Sequence, residues 1–146
     1  MATGTAGSVA RKYHTSQIHY LRADFNVAEV DVSGGKTKTL GVIPAGSVIL
    51  KPISGIAVHV AFDDTTVVDF GPSTDSGYDL WATDMVTTSI TFVPLDEGVT
   101  NKVYVDTTVV CTVIPAGTSV TVGALSAVVC YIPPDEGSNT WLGAQS

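Results

Sequence analysis

The sequence predicts an all-β fold, a single-domain β-sandwich of jelly-roll-like character with a flexible N-terminal arm. Two observations carry that prediction. The 146 residues include 22 Val and 19 Thr but only 3 Glu, and β-branched side chains suit a pleated surface while losing rotamer freedom in a helix. Short apolar runs of period two are also separated by Gly, Pro, Asp and Ser at close intervals, the pattern of many strands joined by tight turns. A chain of this length most commonly forms one domain and needs neither disulfide nor metal to close its core.

Along the chain, residues 1–16 are expected to be the arm, since "MATGTAGS" is small and without period. Residues 17–146 are expected to be the sandwich domain. "QIHYLRADFNVAEVDV" (17–32) has strand-type residues with imperfect alternation, "SGGK" (33–36) is a turn, and "TKTLGVI" (37–43) a strand. In residues 47–62, Pro52 and Gly55 argue against one unbroken strand. Beyond Gly55, alternation sets Val58, Val60 and Phe62 on one face and Ala57, His59 and Ala61 on the other. "TTVVDF" (65–70) is a short strand, residues 71–86 a long polar connection, and "TTSITFVPL" (87–95) a strand. In "KVYVDTTVVCTV" (102–113) the odd positions read as the core face and the even positions as a face largely in water. "SVTVGALSAVVCYI" (119–132) is the last long strand. About eight strands result.

The phrase V-I-P-A-G occurs at Val42–Gly46 and Val113–Gly117, and P-x-D-E-G at Pro94–Gly98 and Pro133–Gly137. The two separations differ, so neither phrase marks a tandem repeat. Both read as turn chemistry used twice, with Pro presetting φ and Gly permitting φ > 0.

Charge is unevenly placed. Residues 1–51 carry six basic and three acidic residues, whereas residues 52–146 carry Lys102 alone against eleven acids. That balance lacks the basic stripe a nucleic-acid binder uses to neutralise phosphates. No run reaches the roughly 18–20 apolar residues of a membrane helix, and the N-terminus lacks the apolar stretch of a secretory signal. Neither nucleic acid nor membrane is therefore expected as a partner. Cys111 and Cys130 read as two small hydrophobes, with a disulfide as the alternative.

The search for chemistry yields no catalytic set, no cofactor fingerprint and no metal-ligand spacing. Asp75 in "TDSG" has the motif of an aspartic-protease carboxylate, but it lies in a polar loop and not at the end of an apolar strand. The acids Asp63, Asp64, Asp69, Asp75, Asp79 and Asp84 raise calcium, yet the EF-hand spacing and its closing Glu are absent. His14, His19 and His59 have no zinc-protease spacing. Trp81 and Trp141 read first as packed aromatics, and otherwise as anchors for an interface or a sugar ring.

One run carries a resemblance. "LGVIPAGSVILKPISGIAVHVAFDDTTVVDFGPSTDSGYDLWATDM" (40–85) has L-G-x-x-P-A-G-S, then a strand ending in Ala61-Phe62, then Thr66, Val68, Asp69, Gly71, Ser73 and Asp75 in order. This resembles small virion structural proteins of tailed bacteriophages, of the capsid decoration or cement type, and the Thr/Val-rich C-terminal strands are similar to theirs. Pro52 and "RKYHTSQIHY" depart from that pattern. The resemblance implies a non-enzymatic protein on the capsid exterior, made in the host cytoplasm. Its implied partners are the major capsid protein and itself, as homodimer or homotrimer. On that reading Arg11, Lys12 and Trp141 are the capsid-interface candidates. The alternative is a tail- or fibre-associated module that binds a host surface or glycan through Tyr78 and Trp81.

Overall fold

The computed structural model describes residues 18–30, 35–95, 102–116 and 120–134. Arg11, Lys12 and Trp141, together with the proposed arm, lie outside them. Among the described residues there are nine strands: β1 (His19–Asn26), β2 (Lys36–Ile43), β3 (Val48–Ile49), β4 (Gly55–Val60), β5 (Val67–Pro72), β6 (Ala82–Val86), β7 (Phe92–Pro94), β8 (Thr107–Ile114) and β9 (Ala124–Ile132). One helical turn, α1 (Val27–Val30), follows β1.

The strands form two antiparallel sheets, ordered β1-β9-β4-β7 and β2-β8-β5-β6, with β3 also on β9. The pairs β1–β9, β2–β8, β4–β7 and β5–β6 nest one inside the next. This is a long hairpin wrapped around a barrel-shaped core, the connectivity of a jelly roll. The sequence expectation of an all-β sandwich is met.

Local chemistry explains the departures from the expected elements. β1 stops at Asn26 because the next residues form a capping box. Asn26 Oδ1 accepts from the Glu29 N–H at 3.2 Å, and Glu29 Oε2 accepts from the Asn26 N–H at 3.4 Å. β3 and β4 occupy the same side of β9, separated by a 3-10 turn at Lys51–Ile53 that holds Pro52. The interruption expected at Pro52 and Gly55 is therefore present. β4 bulges between Val58 and Val60, which turns Val60 outward to 46% exposure; the expected grouping of Val60 with Val58 is wrong for that reason. The expected polar connection 71–86 contains a strand, β6, and the strand expected at 87–95 starts only at Phe92. β8 begins at Thr107, so Val105 lies outside it and is exposed. Of the even positions read as the water face, Lys102, Tyr104 and Asp106 are exposed as expected, but Thr112 is buried on β8, where β2 and β5 flank it and its hydroxyl lies 2.9 Å from that of Thr37.

The core lies between the sheets. Phe25, Ile43, Ile56, Val68, Phe70, Val109, Val113, Leu125 and Val129 are each at most 2% exposed and come from six strands. Trp81, Leu95, Val103 and Val120, from the connections, belong to the same cluster. The first V-I-P-A-G copy carries the chain from one sheet to the other, from β2 to β3. The Ser47 N–H donates to the Pro44 carbonyl at 3.1 Å across the turn, and Gly46 takes φ 89°. That is the conformation for which glycine is the default residue. The second copy ends β8, which is likewise followed by a strand of the other sheet. Cys111 faces the core from β8 and Cys130 lies on β9 in the other sheet; both are free thiols, so the disulfide alternative fails. Among the described residues no helix is long and apolar enough to cross a membrane.

Candidate functional site

A cluster of four polar side chains lies on the outer face of the β1-β9-β4-β7 sheet. Register places Asp24 of β1 opposite Ser126 of β9, and Ser126 opposite Ala57 of β4. The β4 bulge then delivers His59 to the same spot. Ser126 Oγ stands 2.5 Å from Asp24 Oδ1, 2.7 Å from His59 Nε2 and 3.1 Å from Arg22 Nη2. Arg22 Nε also donates to Asp24 Oδ1 at 2.8 Å. These hydrogen bonds hold the Asp24 carboxyl below its ordinary range, that of Ser126 first and that of Arg22 second.

A serine, a histidine and an aspartate in contact invite comparison with a nucleophilic triad. The hydroxyl inventory decides against that use. Ser126 has one proton and two lone pairs. Asp24 can only accept and Arg22 can only donate, so the Ser126 proton goes to Asp24. His59 Nε2 must then be the donor to the remaining lone pair, which leaves it no capacity to take a proton from Ser126. A triad needs the histidine between the acid and the nucleophile, whereas here the serine lies between acid and histidine. Ser126 is also 2% exposed in the middle of a strand paired on both sides. The cluster ties three strands together across one face. Reading the sequence did not single it out, because Arg22 and Ser126 are 104 positions apart and only strand register unites them.

Four of the acids singled out as a cation question accept hydrogen bonds from their own local partners. Asp75 Oδ2 accepts from the backbone N–H groups of Asp79 and Leu80 at 2.9 and 3.2 Å, closing its own loop. Asp63 accepts from the Thr121 N–H and hydroxyl, Asp64 from the Thr66 hydroxyl, and Asp69 from the Asp84 N–H at 2.9 Å. Among the described residues, no three His, Cys, Asp or Glu side chains are placed to share a metal ion.

Tyr78 and Trp81 part company. Trp81 is 5% exposed and packs in the core, as the packed-aromatic reading had it, so its indole offers no face to a sugar ring. Tyr78 is half-buried with φ 56° in the loop that Asp75 closes, and Leu80 beside it is exposed. At the opposite margin of the sandwich, Lys38 of β2 bridges the sheets. Its Nζ donates to Glu29 at 2.8 Å and to the Asp24 carbonyl at 2.6 Å, and lies 5.0 Å from the centroid of the Phe25 ring.

Comparison with solved structures adds one finding. A chain of the cyanophage Pam1 capsid asymmetric unit matches with a TM-score of 0.58 at 16% identity, over 81% of this chain and 84% of that one. The likeness is one of fold. A chain of the acid-stable capsid of Helicobacter pylori bacteriophage KHP30 matches in the same way, with a TM-score of 0.56 at 15% identity, over 82% and 90%. No protein-family model and no curated protein sequence matches the chain.

Proposed function

We propose that this chain is a non-enzymatic structural protein of a bacteriophage virion that decorates or cements the outside of the capsid by binding the major capsid protein lattice. The observation that carries the proposal is the jelly roll shared, over more than four fifths of the chain, with chains of two phage capsids. The order of motifs in residues 40–85 supports it independently. In the fold those motif residues build the frame: Pro44–Ser47 make the turn between sheets, Phe62 fills the core and Asp75 closes its loop. The contact surface is therefore sought elsewhere, at Arg11 and Lys12, which precede β1, and at Trp141, which follows β9. A cementing protein needs only weak single contacts, because many copies bridging neighbouring subunits add by multivalency.

The test uses particles lacking this chain, to which purified chain is returned. Saturable binding, with density restored at repeating positions on the shell, is the expected result. Labelling confined to the tail overturns the proposal in favour of the host-surface module, and absence of particle binding removes both. Deleting residues 1–12 is expected to weaken particle binding, most visibly as salt is raised.

A further inference from the structure

We propose that β1 is a self-pairing edge, joining the β1 of a second copy antiparallel about a two-fold axis at Ala23. The inference stands on the fold and the charges of β1, whether or not the chain binds a shell.

Among the described residues β1 is bonded on one side only, to β9, in an unbroken register from His19 to Asn26. The remaining edges are blunted. β2 has a bulge beside Gly41 and carries Lys36 and Lys38, β6 is bulged between Ala82 and Met85 with Asp84 at φ 52°, and β7 is three residues long and ends in Pro94. β1 has neither bulge nor proline. The Val27 N–H donates to the Gly123 carbonyl, so by alternation the odd-numbered residues of β1 are bonded to β9 and the even-numbered ones point outward. Lys38 Nζ on the Asp24 carbonyl agrees with that direction. The outward groups of Arg22 and Asp24 are otherwise without a partner among the described residues. Lys38 approaches from the core side, over the Phe25 ring, and the Asp24 carbonyl retains its second lone pair.

Charge then selects the register. A two-fold centred on Arg22 sets arginine against arginine, and one centred on Asp24 sets aspartate against aspartate; like charges directly opposite are unfavourable. Centring on Leu21 sets Asp24 against Ile18. Only the register centred on Ala23 puts each Arg22 opposite Asp24 of the second copy, on the outer face. The same register puts Leu21 opposite Phe25 of the second copy on the core side. The contact is isologous, so it closes at two copies and buries both edges at once.

The test is run on the full chain in a Cys130→Ser background, with folding checked by circular dichroism. Ala23→Cys should form a covalent dimer on mild oxidation, because a non-hydrogen-bonded antiparallel pair has its Cα atoms about 4.5 Å apart, within disulfide reach. Leu21→Cys, which faces Phe25 in this register, should not. In sedimentation over a concentration series, Arg22→Asp should weaken the dimer roughly tenfold or more. Exchanging the two charges, Arg22→Asp with Asp24→Arg, should restore it. A chain that stays monomeric at every concentration and gives no Ala23→Cys cross-link overturns the proposal. So does a dimer indifferent to Arg22→Asp, or cross-linking by Leu21→Cys as efficient as by Ala23→Cys.

Discussion

Ser126 Oγ lies 2.7 Å from His59 Nε2, and the β4 bulge is what brings the imidazole there. Truncating Ser126 to Ala removes the one group that satisfies Asp24, His59 and Arg22 together. The exposed partners can turn to water, so the expected loss is about 0.5–1.5 kcal/mol, the net worth of an ordinary hydrogen bond. Urea unfolding of Ser126→Ala against the parent chain measures it. A loss several times larger would mean that the three partners stay trapped in the folded state.

The carboxylates set a pH dependence with two signs. Hydrogen bonds from Ser126 to Asp24, from Lys38 to Glu29, from Thr121 to Asp63 and from Asp79 to Asp75 hold those groups low. Their stabilisation is present above the unfolded carboxyl value of about 4 and is lost as pH falls through the lower folded values. Asp69 runs the other way: burial pushes its carboxyl up, with Asp84 and Asp79 adding like charge. Its contribution declines as pH rises from about 4 to the folded value. Asp69→Asn keeps an acceptor for the Asp84 N–H, so it should be at least as stable as the parent at pH 7. That advantage should vanish below about pH 4. Denaturant midpoints between pH 3 and 8 would show whether the two curves converge in acid.

The two thiols should differ in reactivity. Cys111 is fully buried and its thiol is pushed far up by burial, and Asp69 adds to the shift. Cys130 is half-buried and raised by burial alone. A thiol reagent on the native chain should therefore label Cys130 slowly and leave Cys111 until the chain unfolds. Mass spectrometry of the labelled peptides gives the order, and early labelling of Cys111 would contradict the packing of β8.

Gly123 is the place where one methyl group should cost most clearly. Its φ is 153°, and a Cβ there would lie 2.3 Å from the Phe62 ring. Gly123→Ala should destabilise by about 1–3 kcal/mol through strain and overpacking. Adding Phe62→Leu should recover part of the overpacking but none of the backbone strain, and thermal melts of the pair separate the two.

Much of the frame was legible in the sequence because it rests on local rules. Val and Thr enrichment, the Pro44–Gly46 turn and the interruption between Ile49 and Gly55 follow from backbone preference alone. The errors have particular causes. Val60 left its expected face because a bulge inserts one residue, which alternation counted along a single strand does not register. Thr112 was assigned to water because one strand does not show that two neighbours will cover it. β6 was hidden in a polar loop because Asp69 and Asp84, fifteen residues apart, are joined only by pairing.

The sequence by itself determined the class of fold, its turns and its alternation, since those depend on residues within a few positions of each other. Tertiary structure alone decided which carboxylate meets which hydroxyl, and that among the described residues β1 is left with an open, charge-alternating edge. Those relations depend on the register between strands a hundred residues apart. Register is set by how all the apolar faces close on one core, and no short stretch of sequence contains it.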